Sequence, residues 1–349
     1  MQCTILIPHL WWSRGAGEEA YRELHLPNLE TLAARARLCR FAPIGWEGWL
    51  CQAFEVERQR DWPVAPLTLT IDGGEVGEGY WLRADPVHLR AYRDRLVLAD
   101  ASAFAVSRAE SDALVAALNA HFEADGLRFS APHTERWYLR LDADPQIATA
   151  ALDDVAGAAI DPFLLRGANA MHWQRIVNEA QMLLHAHGVN EAREARGELP
   201  INGVWLWGGG RRATVPGRHF STLTGDDPLA VALAAHADIA AAPLAPGAQE
   251  WLKSDFAIGA GRNHLVLLGQ LVRPARRGDL ETWRNTLQAL DVHWIAPLLD
   301  ALKAGQLREL ALVAPGIGAC QRFDLRRTDL MRFWRMRRSL AHYAGEKAR

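Results

Sequence analysis

Short apolar runs alternate along this chain with longer stretches of helical periodicity, and this alternation strongly limits the possible folds. The apolar runs cover residues 3–7, 203–209, 263–272 and 307–316. The stretches with helical spacing cover residues 26–38, 173–187, 227–237 and 279–305. Continuous apolar runs are typical of strands buried on both faces, and strands that alternate with helices form parallel sheets. The sequence therefore predicts an α/β fold, with Asn28 capping the first helix and Pro297 breaking or kinking the last of these helical stretches.

The chain of 349 residues is too long for one small core. Glycine and acidic residues accumulate over residues 72–79, and the segment that follows is richer in strand-like runs. That segment contains one amphipathic helix with a capping-box pattern at Ser107 and Glu110. We predict a discontinuous first domain, residues 1–75 plus 166–345, and a smaller inserted α/β domain, residues 76–165.

Composition excludes several classes of protein. The formal net charge of -2 excludes a globally basic protein that coats nucleic acid. No apolar run approaches the roughly 20 residues of a membrane helix, so no membrane is expected as a partner. Because of the net charge, nucleic acid is not an expected partner either. The four cysteines are scattered without a CxxC motif, which favours reduced thiols in a cytoplasmic protein: Cys3, Cys39, Cys51 and Cys320.

Two histidines and an Asn-x-x-Arg pattern lie close together after residue 183. His185 and His187 are two residues apart, so on one helix they point roughly 200° apart and share a metal only if the helix ends between them. Asn190 beside the forked guanidinium of Arg193 suits a phosphate or carboxylate. The alternative is a helix cap with a surface salt bridge to Glu194 or Glu198.

The apolar run that begins at residue 203 ends in three glycines, which two arginines follow. Glycines after a strand let the backbone approach an anion, although neither GxGxxG nor a P-loop is present. Together with the preceding pattern they define a predicted anion site for a phosphorylated or carboxylate small molecule: Asn190, Arg193, Gly208, Gly209, Gly210, Arg211 and Arg212.

The carboxyl-terminal segment is strongly basic. Residues 322–349 hold nine Lys or Arg against three Asp or Glu. We predict a final helix over residues 329–345 with a broad apolar face. Such a helix either docks on the body of the protein or contacts an acidic protein partner through residues 322–349.

The order of these segments resembles the archaeal-type cofactor-independent phosphoglycerate mutases of the alkaline phosphatase superfamily. That family has a helix ending in His-Pro-Val/Ile-Asn, then Arg, Gly and Pro-x-Asn before an apolar strand. The matching positions here are His187, Gly188 in place of proline, Val189, Asn190, Arg193, Gly197, Pro200 and Asn202. The segments "ILIP…LPNLETLAARA" and residues 278–302 also resemble family segments. The resemblance implies an alkaline-phosphatase-like α/β/α sandwich with a mixed, mainly parallel sheet and an inserted domain.

The family moves a phosphoryl group between the 3- and 2-positions of glycerate with two divalent metals and a serine. The resemblance implies an Asp after the first strand, the Ser, an Asp-x-x-x-His pair and an Asp-His after a late strand. At those four places this chain has Pro8, His9 and Leu10; Trp46, Glu47, Gly48 and Trp49; Val272 and Arg276; and Pro315 and Gly316. We therefore expect no catalytic residue, no metal and no cofactor, with a pocket filled by tryptophans: Trp11, Trp12, Trp46 and Trp49.

Three functions follow as hypotheses. The preferred one is a catalytically degenerate homologue that is regulatory or binds a phosphorylated metabolite, as in the bacterial branch labelled "RpfE-type regulatory protein". The second is an active mutase or phosphatase with relocated ligands, for example His9, His264, Asp279, Asp291 and His293. The third is an interaction module that works through the basic carboxyl terminus. Cys51 is expected to be a core residue and not a substitute nucleophile.

Overall fold

The computed structural model describes residues 1–13, 17–93, 95–254, 256–257, 263–316 and 318–344. The chain divides into two compact units. Met1–Glu55 with Val215–Arg349 form the first unit, and Val56–Thr214 form the second.

The first unit is built on a seven-stranded sheet. Its strands, numbered in chain order over the whole molecule, are β1 (Gln2–Leu6), β2 (Arg37–Phe41), β10 (Thr222–Thr224), β11 (Ala240–Ala242), β12 (Asn263–Leu267), β13 (Glu309–Ala314) and β14 (Cys320–Arg326). Their spatial order is β11-β10-β12-β1-β13-β14-β2. Neighbouring strands are parallel except at β14, which runs antiparallel to both β13 and β2. The predicted α/β fold with a mixed, mainly parallel sheet is confirmed.

Helices surround this sheet because its strands are apolar on both faces. Leu265, Val266 and Leu267 are consecutive and all buried, and successive residues of a strand point to opposite faces. The helices of this unit are α1 (Pro27–Arg35), α2 (Trp46–Ala53), α8 (Pro228–His236), α9 (Ala248–Lys253), α10 (Val272–Arg277), α11 (Leu280–Leu290), α12 (Ala296–Ala304) and α13 (Ala341–Ala344). Short 3₁₀ helices cover Gly17–Tyr21, Gly269–Leu271 and Arg327–Met331.

The predicted cap of α1 is wrong, and the helix with Pro297 is irregular but not broken. Asn28 does not cap α1, since it is the second residue of that helix and Asp291 takes the capping role. Residues 280–304 remain helical through Pro297, and the irregularity is a π-helical turn, Asp291–Ile295, just before the proline. Proline lacks the N–H that an α-helix would use at that point.

The predicted final helix is wrong. Residues 327–331 form a 3₁₀ helix, residues 341–344 a single α-turn, and the segment between them has no regular helix. Residues 322–326 belong to β14 inside the central sheet. Gly345 to Arg349 lie outside the described residues.

The second unit has its own antiparallel sheet. Its long strand β3 (Tyr80–Tyr92) pairs with β4 (Arg95–Ala99), β6 (Arg136–Leu141) and β9 (Gly203–Gly210), and β5 (Arg128–His133) pairs with β6. A separate two-stranded ladder joins β7 (Ile147–Ala148) to β8 (Arg166–Gly167). The helices are α3 (Val64–Ile71), α4 (Arg108–His121), α5 (Leu152–Val155), α6 (Ala170–His185) and α7 (Gly188–Ala195), with a 3₁₀ turn at Asp161–Phe163. The capping box predicted at Ser107 and Glu110 is present at the start of α4.

The bounds of this unit differ from those of the predicted inserted domain. Residues 56–75 and 166–214, assigned by sequence to the first domain, lie in the second unit. The reason is that β9 pairs with β3, and α6 contributes Trp173, Ile176 and Leu184 to the same core. Whether residues 76–165 fold as an independent domain stays a prediction.

Candidate functional site

Three neighbouring strands of the first unit end at the same edge of the sheet. β1 lies between β12 and β13 and is parallel to both. The segments that leave these strands therefore emerge side by side: Ile7–Leu10 after β1, Leu268 after β12, and Pro315 with Gly316 after β13. Ligands of open α/β sheets bind at this carboxyl edge. It is also where the family resemblance places metal ligands.

At this edge the ring of Trp11 packs directly on Gly316. A Cβ atom added to Gly316 would lie 3.0 Å from Cδ1 of Trp11 and 3.1 Å from the carbonyl oxygen of Ala319. Trp11 is 8% exposed, and among the described residues its indole N–H has no hydrogen-bond acceptor. Packing therefore holds this ring in place. A side chain at position 316, where the resemblance expects a histidine, would therefore require this ring to shift.

The segment that follows β1 is fixed by a second aromatic group. The indole N–H of Trp283 donates to the carbonyl oxygen of His9 at 2.8 Å. The backbone N–H of Trp12 donates to the hydroxyl of Tyr21 at 2.7 Å, and both rings contact that of Trp283. His9 has a positive φ of 55°, so the backbone turns sharply at the place where the resemblance expects an Asp.

Helix α2 covers the place of the expected serine. Its first residue, Trp46, is buried, as are Glu47 and Cys51. Burial, with a smaller contribution from the nearby Glu47 carboxylate, raises the pKa of the Cys51 thiol to about 12. A thiol with that pKa is protonated near neutral pH and is a poor nucleophile. The predicted core role of Cys51 agrees with its burial.

The proposed relocated metal ligands have separate roles. Asp279 accepts the backbone N–H of Thr282 at 3.0 Å and caps α11, and Asp291 accepts the N–H of Leu29 at 2.6 Å and caps α1. Nδ1 of His264 lies 2.7 Å from Oγ1 of Thr222. Over the described ranges, no group of three or more His, Cys, Asp or Glu side chains is placed to hold a metal ion.

The residues of the predicted anion site divide into two groups, both in the second unit. Asn190 is buried; its amide donates to the carbonyls of Leu184 and Ile201 at 2.7 and 2.9 Å and accepts the N–H of Ile201 at 2.7 Å. Its amide joins the end of α6 to the segment before β9. His187 caps α7 by accepting the N–H of Val189, so a helix break does separate His185 from His187.

Arg193 is also buried and makes contacts only within the chain. It donates to the carbonyl of Leu199 at 2.8 Å, to that of Ala105 at 3.1 Å and to the carboxylate of Glu110 at 3.0 Å. Glu198 lies 3.7 Å away, so one partner foreseen from sequence is present at longer range. Two carboxylates already balance this guanidinium, which lowers its attraction for an added anion.

The glycines of β9 allow neighbouring side chains to pack directly on the strand backbone. A Cβ on Gly208, Gly209 or Gly210 would lie 2.9, 2.7 or 2.6 Å from the nearest atom of Val64, Leu82 or Pro63. Arg211 donates to the carbonyls of Glu78 and Asp142, and Arg212 is exposed. None of the described contacts joins this turn to Asn190 or Arg193. The anion site remains a prediction.

A buried charge cluster in the second unit was not foreseen from sequence. Arg83 donates to Asp85 at 2.7 Å, and its guanidinium lies 5.3 Å from the ring centres of both Tyr138 and Trp207. The Trp207 indole N–H also donates to Asp85 at 2.7 Å. Burial raises the pKa of Asp85, and Arg83 partly offsets this. The sequence feature that could have indicated this cluster is the presence of an Arg and an Asp inside the apolar segment 80–89.

Comparison with known proteins gives a consistent relationship. No protein-family model matches the chain. It is 28% identical over 260 residues to the 2,3-bisphosphoglycerate-independent phosphoglycerate mutase 2 of Methanothermobacter thermautotrophicus, covering 68% of this chain and 62% of that protein. It is 27% identical over 158 residues to a probable enzyme of the same name from Geobacter sulfurreducens, covering 44% of this chain and 39% of that protein. Each match spans less than two thirds of the relative's length.

A solved structure supports the same relationship at the level of fold. The cofactor-independent phosphoglycerate mutase of Thermoplasma acidophilum aligns with a TM-score of 0.50 at 15% identity, covering 100% of this chain and 95% of that one. The chain is thus related in sequence to 2,3-bisphosphoglycerate-independent phosphoglycerate mutases and similar in fold to one cofactor-independent phosphoglycerate mutase. The PH0037 protein of Pyrococcus horikoshii aligns with a TM-score of 0.55 at 12% identity, covering 93% and 87% of the two chains. The described part of the chain has no helix long and apolar enough to cross a membrane.

Proposed function

We propose that this protein is a catalytically degenerate homologue of the cofactor-independent phosphoglycerate mutases that is regulatory or binds a phosphorylated metabolite. The observation that carries the proposal is the packing of Trp11 on Gly316. A histidine at position 316 would require this ring to move, because a Cβ alone meets it at 3.0 Å.

The chemistry of the other positions supports the same proposal. Divalent metals of this type are held by carboxylate and imidazole groups. The residues at the expected positions do not fit two such metals, since they include Pro8, Val272, Pro315 and Gly316. Buried carboxylates without a metal are costly, so apolar and aromatic replacements stabilise a site that no longer binds one. We therefore derive no catalytic step through a metal.

The direct test is metal content combined with turnover. Purified protein is incubated with Mn²⁺, Mg²⁺ or Zn²⁺, desalted and analysed for bound metal, and conversion of 3-phosphoglycerate to 2-phosphoglycerate is measured. The Methanothermobacter relative, treated in the same way, is the positive control. We expect no stoichiometric metal and no conversion above background. Stoichiometric metal with steady formation of 2-phosphoglycerate would refute the proposal.

Titration with 3-phosphoglycerate by calorimetry tests metabolite binding separately, and an absence of heat at millimolar ligand would refute that part.

A matched pair of tryptophan variants tests the filled site. Trp11→Ala removes a buried ring and should cost about 3–5 kcal/mol of unfolding free energy, as for other large-to-small core changes. Trp334→Ala, at a side chain that is 67% exposed, should cost little. Urea denaturation measures both. Equal losses in the two variants would mean that Trp11 does not fill a packed site.

The exposed carboxyl-terminal segment favours a second function, binding of an acidic protein. Four large apolar side chains in the segment 331–336 are 67–82% exposed: Met331, Phe333, Trp334 and Met336. Arg332, Arg335, Arg337 and Arg338 flank them. Exposed apolar groups among arginines are typical of protein interaction surfaces.

Substitution is a better test of this surface than deletion. Changing the four apolar residues to serine should leave the fold intact, because all four are exposed. A partner identified from extracts of the source organism is purified and its affinity measured at low and high salt. We expect binding to be lost in the serine variant and weakened by salt. Binding that changes neither with the serine substitutions nor with salt would exclude this surface as the binding site.

A further inference from the structure

The second unit contains an apolar cavity that no step of the proposed function uses. It has a volume of about 220 Å³ and lies between α6, the β3–β4–β9 face and the segment 160–165. Its apolar walls include Leu96, Ile160, Leu164, Val177 and Leu206. The segment over the cavity is anchored by the N–H of Ile160, which donates to the carbonyl of Leu96 at 3.0 Å. The cavity is therefore framed by paired backbone and a 16-residue helix.

The polar groups around this cavity are almost all neutral. Gln174, Asn178 and Gln181 lie along one side of α6, at spacings of four and three residues. Amide groups donate and accept hydrogen bonds, so they suit an uncharged polar group. Among the lining residues that the structure describes, Asp161 is the one ionisable residue, and its carboxylate repels an anion. The same described residues include no cation to offset that repulsion.

We propose that this cavity binds a small neutral amphiphile with an aliphatic or aromatic body and one hydrogen-bonding group. A cavity of about 150 Å³ holds benzene, so 220 Å³ has room for about nine non-hydrogen atoms. The apolar body would contact Leu96, Val177 and Leu206, and the polar group would meet the amides of α6. The site is independent of whether the first unit has catalytic activity.

A series of straight-chain alcohols from butan-1-ol to decan-1-ol tests the size and polarity of the site. Binding to the full chain is measured by calorimetry or ligand-observed NMR. We expect affinity to rise about 4-fold for each added CH₂ and to level off near octan-1-ol. Octanoate should bind at least about 10-fold more weakly than octan-1-ol, because its charge faces Asp161. An absence of alcohol binding, or a series without a length limit, would overturn the proposal.

Three variants locate the binding. Val177→Trp fills the cavity and should abolish alcohol binding, whereas Met182→Trp, on the same helix at an exposed position, should not. Asp161→Asn should narrow the difference in affinity between octanoate and octan-1-ol. Unchanged binding in folded Val177→Trp protein would overturn the assignment. If that variant does not fold, an unchanged octanoate-to-octanol ratio in Asp161→Asn overturns it instead.

Discussion

At the scale of single residues, Asp72 shows how hydrogen bonds outweigh burial in this protein. Its carboxylate accepts Nε of Arg136 at 2.8 Å and the hydroxyl of Tyr138 at 2.6 Å, and its side chain is 3% exposed. Burial by itself would raise the pKa of Asp72, but the hydrogen bonds from Arg136 and Tyr138 lower it below its usual value. Folding is therefore linked to the ionised form of this group.

Asp72→Asn should lower the unfolding free energy by about 3 kcal/mol near neutral pH, because it breaks a buried pair and leaves Arg136 unbalanced. A depressed carboxyl pKa contributes stability above the unfolded pKa of about 4 and loses it as pH falls through the folded pKa. The difference between wild type and variant should thus shrink at acidic pH. Urea denaturation at neutral pH, and at a pH below the folded-state pKa of Asp72, measures this difference in unfolding free energy. Asp112→Asn, at an exposed carboxylate, is the control and should change little. A difference that is constant with pH would contradict the assigned linkage.

The sequence was least informative about residues whose contact partners lie far away along the chain. Asn190 and Arg193 have the chemistry of anion ligands, yet Arg193 bonds Ala105 and Glu110, more than 80 residues earlier. Trp11 against Gly316 is a contact of the same kind. Sequence gives residue type and local spacing, whereas these contacts depend on which strands become neighbours in the sheet.

At the scale of elements, the π-helical turn between α11 and α12 supplies the side chain that caps α1. Asp291 lies in this turn and accepts the N–H of Leu29 at 2.6 Å and Nδ2 of Asn28 at 2.9 Å. Asp291→Ala removes the acceptor of the buried Leu29 N–H and of the half-buried Asn28 amide, and should cost about 1–3 kcal/mol of unfolding free energy. Asp300→Ala, an exposed carboxylate on α12, is the control. Thermal unfolding of both proteins measures the effect, and equal midpoints would mean that the cap contributes nothing.

The elements themselves were predictable to different degrees. Runs of apolar residues identified β1, β9, β12 and β13, because a strand buried on both faces has little choice of composition. The prediction of a carboxyl-terminal helix was wrong, although the spacing of the apolar residues there fits a helix. Arg332, Arg335 and Arg338 recur every third residue, and like charges at that spacing destabilise a helix. Arg332 and Arg335 donate to the carbonyls of Arg35 and Ala36 at the end of α1, and Arg332 also pairs with Asp329.

At the scale of the whole molecule, the continuous range of the second unit gives a test of where its domain ends. The fragment 56–214 keeps β9, whose eight residues are all buried, together with α3 and α6. The fragment 76–165 loses all three and exposes one edge and much of one face of β3. Hydrophobic surface of that extent favours aggregation.

We therefore expect 56–214, expressed alone, to unfold in one cooperative transition and to give a dispersed NMR spectrum. The fragment 76–165 should be insoluble or lack a transition. The control is 56–214 carrying Leu206→Asp, which places an unpaired charge in the core of the unit and should abolish the transition. If 76–165 folds cooperatively and 56–214 gains no stability over it, β9 and α6 are accessory to that domain. The bounds first predicted from composition would then describe the folding unit better than the contacts between strands.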